Sequence, residues 1–347
     1  MPRPHAPGKP KLRELVRRGT ALIASAILSS AIGLTTAHAT DLPQQSDASK
    51  QQVSDLLKKL QTGYAGAKSL KQRRFAFDDL MEQAPEASRI QVRQVDAGGV
   101  DAELIWPARL HHPMGKRVIL YVHGGGFFAG SPETHQALAG SLAKAASSDV
   151  LLIDYRLAPE YPFPAQIDDT LTAYQWLLDS GYENDNVVIA GDSTGATLAI
   201  EAVLRQITLR GPLPAAVIAM SPVVNLLPQD QRDGASDPLT ASFLSDDARS
   251  AYLGARSPSD PRVSPLYADM KGFPPLLVQV GSDDALLNDT LQHAEKARQA
   301  GVDVTLQQWP GMTHQWQLFP FWLDDARQSN QKAAEYALQH FSDRPKE

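Results

Sequence analysis

From residue 90 onward, two kinds of hydrophobic pattern alternate along the chain. Short apolar, β-branched runs occur at RVILYV (117–122), VLLID (150–154), NVVIA (186–190), AAVIAMS (215–221), PLLVQV (275–280) and VTLQQW (304–309). Several are apolar at every position, as strands buried on both faces are. Between them, apolar residues recur at helical spacing over 135–146, 167–180, 195–210 and 289–300. Strands and helices alternating at this interval predict an α/β domain, a mostly parallel sheet flanked by helices.

Two stretches fall outside this rhythm. Residues 40–89 are polar and helix-favouring, with apolar positions at Val53, Leu56, Leu57 and Leu60. Residues 225–262 are rich in Asp, Ser and Pro, with one helical piece expected near 244–253. An insertion here falls over the strand ends, where open α/β sheets bind ligands. The amino terminus follows another logic. Lys9, Lys11, Arg13, Arg17 and Arg18 precede an uncharged apolar segment, 20–34, and then Ala37-His38-Ala39. That order is expected of a signal peptide ending at Ala39, with export to the periplasm or medium. The apolar segment is shorter than the ~20 residues a spanning helix needs. No later run approaches that length, so no stable membrane anchor is expected. The expected division is therefore 1–39 signal, 40–89 an N-terminal helical segment, and 90–347 a catalytic domain with an insertion near 225–262.

Composition narrows the chemistry. The 347 residues include no cysteine, which removes thiolate catalysis, disulfides and Cys-ligated metal. The formal net charge of −6 argues against nucleic acid as a partner. No motif calls for a metal or a cofactor.

Gly191-Asp192-Ser193-Thr194-Gly195 directly follows one predicted strand and directly precedes a predicted helix. In that context G-x-S-x-G is a nucleophile elbow, a tight turn that lifts the serine hydroxyl clear of the backbone. His123-Gly124-Gly125-Gly126-Phe127 ends the strand RVILYV. Its glycines let backbone N–H groups face a developing oxyanion, an effect worth ~2.7–4 kcal/mol per donor. No P-loop lysine or G-x-G-x-x-G accompanies it, which argues against a phosphate cradle. His123 itself reads as structural. A serine nucleophile needs a histidine base and a carboxylate to orient it, here in the order Ser, acid, His. Of the histidines downstream of Ser193, His293 and His314 are the candidates for the base. His293 falls within a helical pattern, where a solvated face is expected. His314 stands in the loop after VTLQQW, where the base belongs. Asp283 and Asp284 both follow PLLVQV and compete for the acid, with the other free to cap the next helix.

Together these segments resemble the bacterial hormone-sensitive-lipase-like branch of the α/β-hydrolase serine esterases. The resemblance covers about 90–325. It includes the H-G-G-G-F loop, Asp154-Tyr155-Arg156-Leu157-Ala158-Pro159-Glu160, the elbow, Ser264-Pro265-Leu266, Gly272-Phe273-Pro274-Pro275 and Gly311-Met312-Thr313-His314. It implies an α/β-hydrolase fold with a helical cap over the site, built by position from 40–89. Ser193 would be the nucleophile, His314 the base and Asp284, in a D-x-L pattern, the acid. Gly125, Gly126 and Thr194 would supply the oxyanion N–H groups, with Gly124 shaping the turn. The Asp154–Glu160 segment would be scaffolding. The expected substrates are small esters, with short acyl chains. Another acyl compound (a lactone, carbamate or amide) is the alternative, and a non-catalytic ligand-binding protein on this fold a more distant one. Two residues depart from the family pattern. Thr194 stands where alanine is usual, and its bulk is expected to alter the acyl pocket. Ala196 stands where glycine is usual.

Overall fold

A computed structural model describes residues 42, 44–85, 87–110, 116–228 and 237–342. The expected signal segment, 1–39, lies outside them. The described strands are β1 (Ile90–Asp96), β2 (Asp101–Pro107), β3 (Val118–Val122), β4 (Asp149–Ile153), β5 (Val187–Asp192), β6 (Ala216–Met220), β7 (Leu276–Gly281) and β8 (Val304–Trp309). The described helices are α1 (Asp47–Gly63), α2 (Leu70–Glu82), α3 (Pro132–Ala146), α4 (Ala165–Asp179), α5 (Thr194–Leu209), α6 (Pro238–Phe243), α7 (Asp246–Leu253), α8 (Leu287–Gln299) and α9 (Asp324–His340).

The strands form one sheet in the order β1-β2-β4-β3-β5-β6-β7-β8. Pairing is parallel from β4 through β8 along that order, and antiparallel for β1–β2 and β2–β4. Strand alternation sends successive side chains to opposite faces. In β3, Ile119 and Tyr121 enter one core, against α3, α9, α1 and α2. Val118, Leu120 and Val122 enter the other, against α4, α5 and α8. Each apolar run thus serves two cores, which is why polar positions are few.

Local chemistry sets the helix boundaries. Ser131 caps α3 by accepting the N–H of Thr134, Pro132 occupies the first turn, and Ser147 ends the helix in the left-handed region. On α2, Ser69 and Gln72 form a reciprocal capping box.

The structure adds elements that the apolar pattern did not mark. β1 and β2 make a hairpin closed by Ala97 N–H to Val100 O at 2.8 Å, around Gly98-Gly99. β1 is mostly exposed, so it carries little hydrophobic signal. α9 buries mostly alanines (Ala326, Ala333, Ala334, Ala337) and polar residues, with Tyr336 its one large buried side chain, which hides its periodicity. The helix expected near 244–253 is α7, and a further short helix, α6, precedes it in the same stretch. The chain breaks between them where Ser245 takes an extended conformation and Arg249 N–H returns to Ser245 O, starting a new helix. Among the described residues no helix is long and apolar enough to cross a membrane.

Candidate active site

β5 ends at Asp192 and α5 begins at Thr194, so Ser193 alone makes the turn. Its φ of 50° and ψ of −120° are unfavourable for a residue with a side chain. The neighbourhood over-determines that geometry. Ser193 N–H donates to Met220 O at 2.8 Å, and its carbonyl accepts Val223 N–H at 3.2 Å. Gly195 makes the turn possible: a Cβ there would lie 2.1 Å from Val122 O and 2.4 Å from His123 O. At position 196 the alanine methyl is fully buried and packs into the core beneath α5.

The turn delivers the Ser193 hydroxyl to His314. Oγ lies 2.8 Å from His314 Nε2, and His314 Nδ1 lies 3.0 Å from Asp284 Oδ2. All three residues are at most 1% exposed. Asp284 is brought into this chain and Asp283 is not. Asp283 is exposed, with Oδ1 accepting the Ser282 hydroxyl at 2.8 Å. The helix-capping role expected for it is not seen either, since α8 begins without a side-chain cap. The N–H near the helix start, that of Leu286, donates instead to Asp284 Oδ1 at 2.8 Å. That bond also orients the Asp284 carboxylate.

Burial opposes charging of the His314 ring, yet its pKa is raised above the ordinary value. The charge and hydrogen bond of Asp284 outweigh desolvation, with smaller contributions from Asp237 and Asp192. A raised pKa suits a group that must accept a hydroxyl proton.

The glycine loop follows β3. The N–H groups of Gly125, Gly126 and Thr194 donate to no atom among the described residues. The adjacent donors are already committed: Gly124 N–H to Asp192 Oδ1 at 3.1 Å, and Phe127 N–H to Thr194 Oγ1 at 3.3 Å. The Thr194 hydroxyl therefore ties the elbow to the glycine loop, a link that alanine cannot make.

Asp192 is the functional residue that sequence reasoning passed over. Its carboxylate is fully buried beneath the site. Oδ1 accepts the Tyr121 hydroxyl at 2.7 Å and the Gly124 N–H, while Oδ2 accepts from the Gln315 amide and lies 3.5 Å from His135 Nε2. Burial alone would raise its pKa, but His135, Tyr121 and Gln315 lower it to about 2. One carboxylate thus joins the glycine loop, the elbow and the histidine loop. Its place beside the nucleophile was a signal, but its partners lie far away in sequence.

His123 is structural, as expected. It stacks on Tyr155 at 4.2 Å, its Nδ1 is 2.8 Å from Gly124 O, and burial lowers its pKa to about 3. His293 is a correction. It is fully buried on α8, where a solvated face was expected, and desolvation lowers its pKa to about 4. In the scaffolding segment, Arg156 forms a multidentate pair with Asp169, and Tyr155 OH donates to His123 O at 2.8 Å.

Helices from both irregular stretches touch this site's loops. From α2, Arg74 donates to Phe128 O at 2.6 Å and to Ala158 O at 3.0 Å. Arg73 donates to Ser242 O at 2.8 Å and pairs with Ser245 and Asp247. Phe243 of α6 meets Phe77, Tyr64 and Phe128 edge-on. Among the described residues no group of three or more His, Asp or Glu is placed to hold a metal.

Known proteins are similar to this chain in sequence and fold. Residues 119–318 match a family model described as an alpha/beta hydrolase fold. An esterase of Acinetobacter venetianus is 37% identical over 272 residues, covering 75% of this chain and 86% of that protein. An acetyl-hydrolase of Streptomyces hygroscopicus is 36% identical, covering 76% and 88%. A crystal structure of an esterase from the bacterial hormone-sensitive lipase family is 34% identical, with a TM-score of 0.77 over 84% of this chain and 99% of that one. With matches of that extent, the chain belongs to the α/β hydrolases, in the bacterial hormone-sensitive-lipase-like branch of carboxylesterase-type enzymes.

Proposed function

We propose that this carboxylic-ester hydrolase works by covalent serine catalysis on small, short-acyl esters. One observation carries the reading: the continuous hydrogen-bonded line from Ser193 Oγ through His314 to Asp284. Ser193 attacks the ester carbonyl as His314 Nε2 takes its proton. Asp284 holds the Nδ1 tautomer and stabilises the imidazolium. The carbonyl oxygen becomes an oxyanion and meets the N–H groups of Gly125, Gly126 and Thr194. As the intermediate collapses, His314 returns the proton to the departing alcohol, leaving an acyl-enzyme. Water, deprotonated by His314, attacks that acyl group, and the acid leaves Ser193 free. Nothing in this cycle calls for a cofactor.

The short-acyl preference draws on two supports. The triad is fully buried, and α2 and the start of α6 hydrogen-bond to the loops around it, which limits the acyl chain it can admit. A 36%-identical relative is named an acetyl-hydrolase. The amino-terminal pattern places the working enzyme outside the cytoplasm, beginning near Thr40. Mass spectrometry of the exported protein tests this, and retention of 20–34 in it would overturn it.

The mechanism is tested with Ser193→Ala. At least ~10³-fold loss of kcat, with the fold intact, is expected. Undiminished turnover would remove Ser193 as nucleophile. A panel of p-nitrophenyl esters from acetyl to palmitoyl, with a lactone and an anilide beside it, ranks the substrates. Fastest turnover on the lactone or anilide would displace the ester reading.

A further inference from the structure

The catalytic histidine is also held from behind, by the start of α6. Asp237 precedes that helix and is 4% exposed. Its Oδ1 accepts the Leu239 N–H at 2.9 Å, as a helix cap does. A cap needs only one oxygen. The other, Oδ2, accepts the backbone N–H of His314 at 2.7 Å, across 77 residues of sequence. Each polar group of His314 that bears on catalysis is therefore tied: Nε2 to Ser193, Nδ1 to Asp284 and the backbone N–H to Asp237.

The far end of α6 reaches the other half of the site. A Cβ on Gly126 would lie 2.6 Å from Phe243 O, so the glycine loop packs directly on this helix. Arg73 of α2 holds the same end through Ser242 O. One short helix thus spans from the histidine loop to the oxyanion loop, and the covering helices hold it in place.

We propose that Asp237 is a positioning residue for ester hydrolysis, its carboxylate fixing the His314 backbone so that the seating of α6 sets the alignment of the imidazole with Ser193. The inference rests on the Ser193–His314–Asp284 reading. Misplacing a catalytic group by ~1 Å can cost about 100-fold in rate. The carboxylate also acts through charge. Asp284, Asp237 and Asp192 are the anions that favour the imidazolium, against the burial that opposes it. Removing one of them lowers the pH at which the ring charges.

The test compares Asp237→Ala and Asp237→Asn with the unmodified enzyme, with kcat normalised to serine sites titrated by an organophosphate. Asp237→Ala is expected to lose about 10- to 100-fold in kcat with KM little changed. Asp237→Asn keeps an oxygen acceptor and is expected to recover part of that loss. In both, the acid limb of kcat/KM should move to lower pH, by up to ~1 unit. Unchanged kcat per titrated site with an unmoved acid limb would overturn the proposal. Failure of both variants to fold would also overturn it, by placing Asp237 in the scaffold alone. Ser193→Ala is assayed in parallel. If it stays active, the triad reading fails; if it is inactive while the Asp237 variants match the parent, only this proposal fails.

Discussion

Every residue of β3 through β7 is buried, whereas α2 carries Phe75 at 71% exposure and Phe77 at 0%. The sheet is held by two continuous cores and a parallel ladder. Helices α1, α2, α6 and α7 are amphipathic; they share one of those cores and meet the site's loops through the Arg73 and Arg74 clamps and the ring cluster around Phe243. The triad sits on loops at the carboxyl ends of β5, β7 and β8, so the frame with many redundant contacts carries the chemistry. The helices reach it through a small number of polar and ring contacts, so a change in one of them acts on the chemistry only indirectly.

If that division holds, damage to the frame's own site should stop chemistry and leave folding intact. Asp284→Asn is expected to lower kcat by up to ~10⁴-fold, because the imidazole loses the partner that sets its tautomer. Asp283→Asn, one residue away and exposed, should leave most activity. The reverse ranking in steady-state kinetics would show that the carboxylate beside His314 is not the one that orients it.

Damage to the surrounding helices should instead act more weakly. Arg73 is buried and bridges α2 to Ser242, Ser245 and Asp247. Arg73→Ala loosens the seat of α6 and is expected to lower kcat by about 2- to 10-fold, less than Asp237→Ala, with KM changed by no more than about 10-fold. A large fall in kcat with KM unmoved would merge the two regions into one catalytic unit.

Acid sharpens the contrast within the frame. His123 and His293 have folded pKa values lowered to about 3 and about 4, below the ordinary value of 6.5. The unfolded chain therefore takes up protons first. Their contribution is complete above pH ~6.5 and falls away toward pH 3–4, by up to about 1.4 kcal/mol per pH unit for each ring. His293→Leu, far from the triad, should flatten the loss of stability between pH 6.5 and 4 in urea titrations without altering kcat. An equally steep loss in that variant would show that His293 is not a source of it.

The smallest effect concerns His314. Its pKa is raised, so the acid limb of kcat/KM should have its midpoint above ~6.5. A midpoint below 6 would show that burial, not the three carboxylates, dominates that ring.

Local information determined much of this protein. Apolar runs marked the strands from β3 to β8, because a strand covered on both faces is mostly apolar and admits a polar residue only where it is hydrogen-bonded, as Gln279 is. The elbow and the glycine loop were legible because tight turns and close backbone approach demand glycine at set positions, as at Gly195. His314 followed from chain order and loop position. Elements with weak local signals escaped: exposed β1, and α9 with its stripe of alanines. A helical pattern by itself did not reveal which face His293 occupies. The residues alone left Asp283 and Asp284 open and the D-x-L resemblance favoured Asp284; the tertiary structure brings Asp284 and not Asp283 to His314, because adjacent residues in a turn face different sides. It alone brought Asp192 to Gly124, Tyr121 and Gln315, and Asp237 to His314. Asp192 stands in the elbow motif, but neither it nor Asp237 shows in the sequence which groups it will meet. Their partners are 77 and up to 123 residues away, and a buried charge is tolerable only once the fold has assembled donors around it.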